Sequence, residues 1–221
     1  MLPLIKGVNM IYQDILNSDF FKSTYSEIEE KKKDFPVNHG FIHIANVIGY
    51  AQELADIFAL GYKEKELLLL ACTLHDIGYL LNREQHPQIG ADLAREYLQN
   101  KYNLNDKDIE TICNAIKNHG GKLEYEFKDK VSLCLILADK LDFSTTRYSE
   151  DVEKYPQVLP FKNIIKITPR LLENTFYIDI KTLEKYDYTN VNYFTKLQAV
   201  LNTFTKVTKL NTCINFISEN Q

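Results

Sequence analysis

Residues 63–76 read "KEKELLLLACTLHD" and residues 128–144 read "KDKVSLCLILADKLDFS". In each, an unbroken apolar run leads straight into charge. Leu67 to Leu74 ends at His75 and Asp76, and Val131 to Ala138 ends at Asp139. A surface helix carries one apolar stripe, so runs as continuous as these predict two helices buried on all sides. A carboxylate at the end of such a helix is costly to desolvate unless a cation meets it. The negative end of the helix dipole raises that cost. Both buried helices therefore demand positive charge at the same relative place.

The neighbouring sequence supplies helices to surround them. From Phe41 to Phe58, apolar residues at Phe41, Ile44, Val47, Ile48, Ala51, Leu54, Ala55 and Phe58 follow the spacing of one buried helical face, with Gly61 as the stop. Pro87 opens a helix through "PQIGADLAREYL". The stretch "NDKDIETICNAIKNHG" has an acidic first turn, an apolar stripe at Ile109, Ile112 and Ile116, and Gly120 as its stop. After about residue 150 the period changes. "NIIKIT" and "TFYIDIK" alternate as strands of a hairpin about a turn containing Pro169, and a long helix is predicted from about Asn190 to Phe216. The fold class is thus mainly α, a helical bundle with a small C-terminal α+β extension of a hairpin plus a long helix. The organisation expected is an N-terminal helical segment at 1–38, a bundle at 39–150 and the extension at 151–221. Two strands do not stand alone in water, so the hairpin must pack on something. The run "EIEEKKKDF" reads as a solvated helix end.

Composition bounds the function. A chain of 221 residues with 45% hydrophobic and 25% charged residues is an ordinary globular protein with room for one substantial core. Its 30 acidic and 26 basic residues give a net charge of -4, which offers no general attraction to nucleic acid or to an acidic membrane. A small anionic substrate needs only local positive charge. Cys72, Cys113, Cys134 and Cys213 form no CxxC pair and read as reduced thiols, three of them inside apolar helical patterns. With no membrane-length apolar run and no signal-peptide pattern at "MLPLIKGVNM", a cytoplasmic location is expected.

Four of the five histidines, His43, His75, His86 and His119, fall at helix ends or faces that bear on Asp76 and Asp139. His43 is the most telling, because it interrupts the buried stripe of "HGFIHIANV" at residues 39–47. A lone core histidine is satisfied by a backbone carbonyl. Imidazoles and carboxylates gathered inside a bundle instead make a site for iron, manganese, cobalt or zinc. His39, one turn earlier, reads as a cap or a support behind the ligands, and Asn46 as a packing or solvent-facing residue.

The ordered set, His43 in "HIANV", the doublet in "TLHDIG" and Asp139 in "ILADKLD", resembles the HD superfamily of metal-dependent phosphohydrolases over residues about 39 to 145. His86 in "HPQIGA" and His119 in "AIKNHGG" stand where dinuclear members place extra ligands. The nearest branch by this pattern is the one that hydrolyses diadenosine tetraphosphate symmetrically. The HD-GYP phosphodiesterases are more distant, since Tyr79 replaces their lysine and the GYP triplet is missing. The resemblance implies two divalent transition-metal ions, iron or manganese, with cobalt, nickel or zinc as alternatives. It makes Asp76 the bridging carboxylate, with His43, His75 and Asp139 on one ion and His86 and His119 on the other. The implied substrate is a phosphorylated small molecule, a nucleotide or dinucleoside polyphosphate, cleaved by a metal-held hydroxide. Lys122, Lys140, Arg83 and Arg147 lie beside ligands in sequence and could neutralise phosphate, with Lys140 and Arg83 the foremost candidates. Tyr79 reads as core filling or as a surface for a base. The same ligand set serves HD-type mixed-valence diiron oxygenases, and a non-catalytic nucleotide-binding protein could keep the pocket alone. A homodimer through the extension is left open.

Overall fold

Two helices buried on every side organise the chain, α4 (Tyr62–Leu74) and α7 (Lys130–Leu141). The structure is a computed structural model that describes residues 10–31, 37–120, 129–148, 155–188 and 191–219, without the side chains of Gln157, Asn192 and Tyr193. Every residue from Glu66 to Leu74 and from Val131 to Asp139 is buried, as the two continuous apolar runs require. Around them lie α3 (Phe41–Ile57), α5 (His86–Lys101) and α6 (Asp106–Asn118), with α3, α4 and α6 in contact with α7. Asn105 and Asp129 cap α6 and α7 by accepting from the amides of Asp108 and Ser132.

Two short N-terminal helices, α1 (Ile11–Asn17) and α2 (Asp19–Lys31), close one side. Buried Glu66 accepts from the amide of Ile11 at 2.7 Å, and the hydroxyl of Tyr25 donates to the carbonyl of Thr73 at 3.0 Å. Both bonds tie this layer to α4. Of "EIEEKKKDF", the part to Lys31 ends α2, and residues 32–36 lie outside the described residues. Gly61 does not stop α3. That helix ends at Ile57, with Ala59 taking the left-handed turn at φ 48°, and Gly61 is the N-cap of α4.

The extension is a three-stranded sheet, β1 (Ile164–Leu172), β2 (Thr175–Thr182) and β3 (Asn211–Ser218), in the order β1-β2-β3. Strands β1 and β2 pair antiparallel about a turn at Glu173 and Asn174, not about Pro169. Pro169 sits within β1 opposite Ile178, which is tolerated because β1 is an edge strand and needs no donor on its open side. The long helix is also shorter than the periodicity suggests. α8 spans Asn192–Thr208 and stops at Lys209, whose φ is 63°. The chain then returns as β3, parallel to β2, which completes a strand–helix–strand crossover. Phe176, Ile178 and Ile180 are buried on one face of the sheet, as are Leu197, Val200, Leu201 and Phe204 on α8. Phe58 of the bundle meets Phe176 and Phe204 with ring centroids 5.6 and 5.7 Å apart, so the extension shares the core of the bundle. Among the described residues, no helix is long and apolar enough to cross a membrane. All four cysteines are free.

The turn after α4 is drawn tightly onto α5. A Cβ on Gly78 would lie 2.2 Å from the carbonyl oxygen of His86 and 2.4 Å from the amide nitrogen of Gly90. Both obstacles are backbone, so only glycine allows the approach. Gly49, within α3, has nothing within 4 Å of such a Cβ. Gly78→Ala is therefore expected to destabilise the fold by about 1–3 kcal/mol through overpacking. Gly49→Ala should instead stabilise it by about 0.5–1 kcal/mol through its helix propensity. Urea melts of the two variants check the pair, and equal effects would contradict the close approach.

Candidate metal centre

Three helix C-termini converge on one point, those of α4, α6 and α7. His75 follows α4 and Asp76 comes next; His119 follows α6; Asp139 lies in the last turn of α7. The first turn of α3 brings His43, and α5 begins at His86. Helix C-termini are the negative ends of their dipoles, so the convergence alone favours a cation.

Each imidazole is locked by its Nδ1. His75 donates to the carbonyl of Cys72 at 2.8 Å, His86 to that of Arg83 at 2.6 Å and His119 to that of Ile116 at 2.5 Å, in each case three residues back. His43 uses Nδ1 on the carboxylate of Asp142 at 2.6 Å. A carbonyl can only accept, so the proton of a neutral ring is on Nδ1 and the Nε2 lone pair points inward. The inward atoms then oppose one another: Nε2 of His43 and His75 are 3.1 Å apart, and so are Nε2 of His86 and His119. Two facing lone pairs repel without a cation between them.

Asp76 lies between the two pairs. Its Oδ2 is 3.3 Å from Nε2 of both His43 and His75, and its Oδ1 is 3.4 Å from Nε2 of both His86 and His119. Oδ1 is buried and accepts no hydrogen bond. An orphaned carboxylate oxygen among imidazole lone pairs fits divalent metal. Three overlapping sets, His39/His43/Asp76, His43/His75/Asp139 and His75/Asp76/His119, could each hold an ion, with ligand atoms all within 4.8 Å of one another.

The electrostatics keep the donors ready. Burial opposes the charge on Asp76, but His75 and then His39, the latter hydrogen-bonded to it at 2.7 Å, outweigh it and hold the carboxyl well below the usual carboxylate range. Asp139 is likewise held low against its burial, by Lys140 and then His43. Burial pushes His119 down to about 4, which leaves it neutral at physiological pH. Around His43, burial is overcome by Asp139, Asp142 and Asp76, which raise its pKa. Three carboxylates thus call for positive charge at one nitrogen. In this structure the guanidinium of Arg147 donates to it, with Nη1 2.7 Å from Nε2 of His43.

The structure brings His43, His75, Asp76, His86, His119 and Asp139 together, gives His39, Asn46 and Arg147 contacts that the sequence did not specify, and adds Asp142. His39 does not cap α3, whose N-cap is Gly40. Its Nδ1 lies 2.7 Å from Oδ2 of Asp76, and its ring stacks on buried Tyr79 at 4.3 Å. Asn46, expected to pack or face solvent, donates to Oδ1 of Asp142 at 2.9 Å and to Thr146 at 3.0 Å. Asp142 had no role in the sequence reading, although it stands three residues after Asp139 on the same helix end. Buried Arg147 reaches His43 and Asp142, whereas Arg83 is exposed on the turn before α5 and contributes its carbonyl to His86. Lys140 pairs with Asp139. Lys122 lies outside the described residues.

Residues 40–144 match the family model of the HD domain. The segment holds His43, His75, Asp76, His86, His119, Asp139 and Asp142, while His39 lies just before it and Arg147 just after, and it ends before the extension. A crystal structure described as a predicted HD superfamily hydrolase, from an uncultured Thermotogales bacterium, is similar at 19% identity and a TM-score of 0.42, over 66% of this chain and 88% of that one. No curated protein matches the chain. The matched segment contains the His75-Asp76 doublet, and the donors gathered around it could hold a metal ion.

Among the described residues, Asp142 bears on the centre through His43 and Arg147. Removing a partner that orients a metal-binding imidazole lowers affinity by roughly 10–100-fold. Asp142→Ala is expected to show that loss for manganese or cobalt in a chelator competition titration. Unchanged affinity would mean that the His43 ring is held by packing alone.

Proposed function

We propose that the chain is a metal-dependent phosphohydrolase that cleaves a phosphoester or phosphoanhydride bond of a nucleotide or dinucleoside polyphosphate. The observation that carries this reading is Asp76, a buried carboxylate whose two oxygens face two separate imidazole pairs. A carboxylate so placed suits two ions, with His43, His75 and Asp139 on the Oδ2 side and His86 and His119 on the Oδ1 side. Iron or manganese matches this mixed nitrogen and oxygen donor set. Ions held there supply a water activated near neutral pH and charge for the phosphoryl oxygens.

The chain's own groups do the rest. The Nδ1 bonds fix each imidazole, so little reorganisation accompanies the reaction. Lys140 and Arg147 stand at Asp139 in the wall of a cavity of 460 Å³ that reaches the centre at Asp139, where they would orient and neutralise phosphate. Arg83, on the turn that carries His86, is placed to add charge from the neighbouring segment. These cations favour a phosphorylated ligand over the polyol or other chelating substrate that an oxygenase of the same ligand set would take.

The test is elemental analysis with a substrate panel of nucleotides, dinucleoside polyphosphates, cyclic dinucleotides and phosphomonoesters, run with iron, manganese and cobalt, under air and without it. The expected result is close to two ions per chain and hydrolysis of a nucleotide or dinucleoside polyphosphate without oxygen uptake. Asp76→Ala should abolish turnover and lower metal content together, because one residue serves both sides. Full metal content in an inactive Asp76→Ala variant would contradict the shared role. Oxygen consumption with no phosphorylated compound cleaved would replace the hydrolase reading with the oxygenase.

A further inference from the structure

The cavity beside the metal centre is not a property of the HD domain alone. Asp139, Lys140 and Arg147 belong to its wall on the bundle side, but Phe161, Tyr186 and Lys196 of the extension line it as well. Its 460 Å³ lies within the range of about 300–1,000 Å³ typical of small-molecule sites. The matched family segment stops at residue 144, so this part of the wall lies outside it.

Two of those residues are placed for binding rather than for packing. The ring of Tyr186 is 48% exposed even though it lies in the cavity wall. Its ring leans on that of Tyr188, 4.8 Å away and tilted by 58°. Tyr188 is buried, stacks on Phe216 at 4.7 Å and 6°, and donates its hydroxyl to the carbonyl of Pro160 at 3.2 Å. A half-exposed aromatic ring in a cavity wall, backed by a buried one, can serve as a stacking surface. Lys196 projects from α8 next to buried Leu197, is itself exposed, and has no ion-pair partner among the described residues. The cavity wall thus carries three cations, Lys140, Arg147 and Lys196, against two carboxylates, Asp139 and Asp142. Lys140 pairs with Asp139 and Arg147 with Asp142, so the surplus charge of the wall is that of Lys196. Positive charge is left over for an anion.

We infer that the extension forms the specificity-determining part of the substrate site, with Tyr186 stacking on the planar base of a nucleoside phosphate and Lys196 pairing with a phosphate outside the metal centre. The identity of the reaction rests on the phosphohydrolase reading; the binding does not. A phosphate at the metals and a base on Tyr186 would place the ligand across the boundary between the bundle and the extension, which explains why the extension shares the bundle's core instead of hanging from it.

The experiment is titration calorimetry of the manganese-loaded full chain with ADP and with inorganic phosphate. Base stacking and a charge-assisted phosphate contact are each worth enough that Tyr186→Ala and Lys196→Ala should each weaken ADP binding about tenfold. Inorganic phosphate should weaken less than about twofold in either variant, because the metal centre and its adjacent cations hold it. Tyr186→Phe and Lys196→Arg should recover most of the ADP affinity. The inference is overturned if the unaltered chain does not bind ADP, if both alanine variants bind it normally, or if ADP and phosphate weaken alike. A chain that binds ADP as described yet hydrolyses no phosphorylated compound would sink the hydrolase reading and leave this assignment standing.

Discussion

The structure turns on one buried carboxylate. Asp76 follows a helix whose last nine residues are all buried, at the negative end of that helix, and its charge has to be met where water cannot reach. The answer is a shell of five imidazoles, with His39, His43 and His75 toward one oxygen and His86 and His119 toward the other. Neutral imidazoles alone do not balance a carboxylate, and their own lone pairs face each other at 3.1 Å. The protein portion of the site is therefore incomplete in charge, and that incompleteness suits it to a metal ion better than to a salt bridge.

Backbone packing is subordinated to keeping this shell in place. Gly78 lets the turn after Asp76 touch the start of α5, where His86 lies, and a Cβ on Gly120 would come 2.4 Å from Pro87, next to His86 again. A larger residue at either position would push α5 away and carry one imidazole out of reach of Oδ1. The carbonyls of Cys72 and Ile116, which lock His75 and His119, lie in the last turns of α4 and α6, where lone pairs remain open to a side-chain donor. The same convergence of termini thus supplies the negative field, the locks and the ligands.

What was legible in the sequence follows from the range of the interaction involved. The buried helices and the stripe interrupted by His43 are local periodic signals, and the ligand set could be read because its residues stand at helix ends marked by glycine, proline and charge. Asp142, Asn46 and Arg147 carried no such mark. Their contacts join residues 96 to 104 positions apart, and nothing in "DFSTTR" announces that Arg147 folds back onto His43. The C-terminal strand was hidden for a different reason. Thr208, Lys209 and Leu210 contain neither glycine nor proline, so the apolar spacing of α8 runs on unbroken toward Phe216, while the turn is made by Lys209 in a left-handed conformation that sequence does not favour. The strand itself, "NTCINFIS", is rich in the residues that fit a sheet, and only pairing with β2 decides its state.

A chain of net charge -4 can still present a cationic face because its charges are layered. The innermost layer is Asp76, and around it lie the imidazoles; Asp139 and Asp142 come next, and Lys140 and Arg147 close on those two. On the proposed reading this order has a consequence for binding. A carboxylate that also ligates a metal has less charge to offer Lys140 and Arg147, so filling the centre leaves those cations freer to meet phosphate. Metal and anionic ligand would then support each other through Asp139 without any movement of the fold. The extension adds the one charge outside this exchange, Lys196, which owes nothing to the metal ligands and can therefore distinguish one phosphorylated molecule from another rather than merely attract them all.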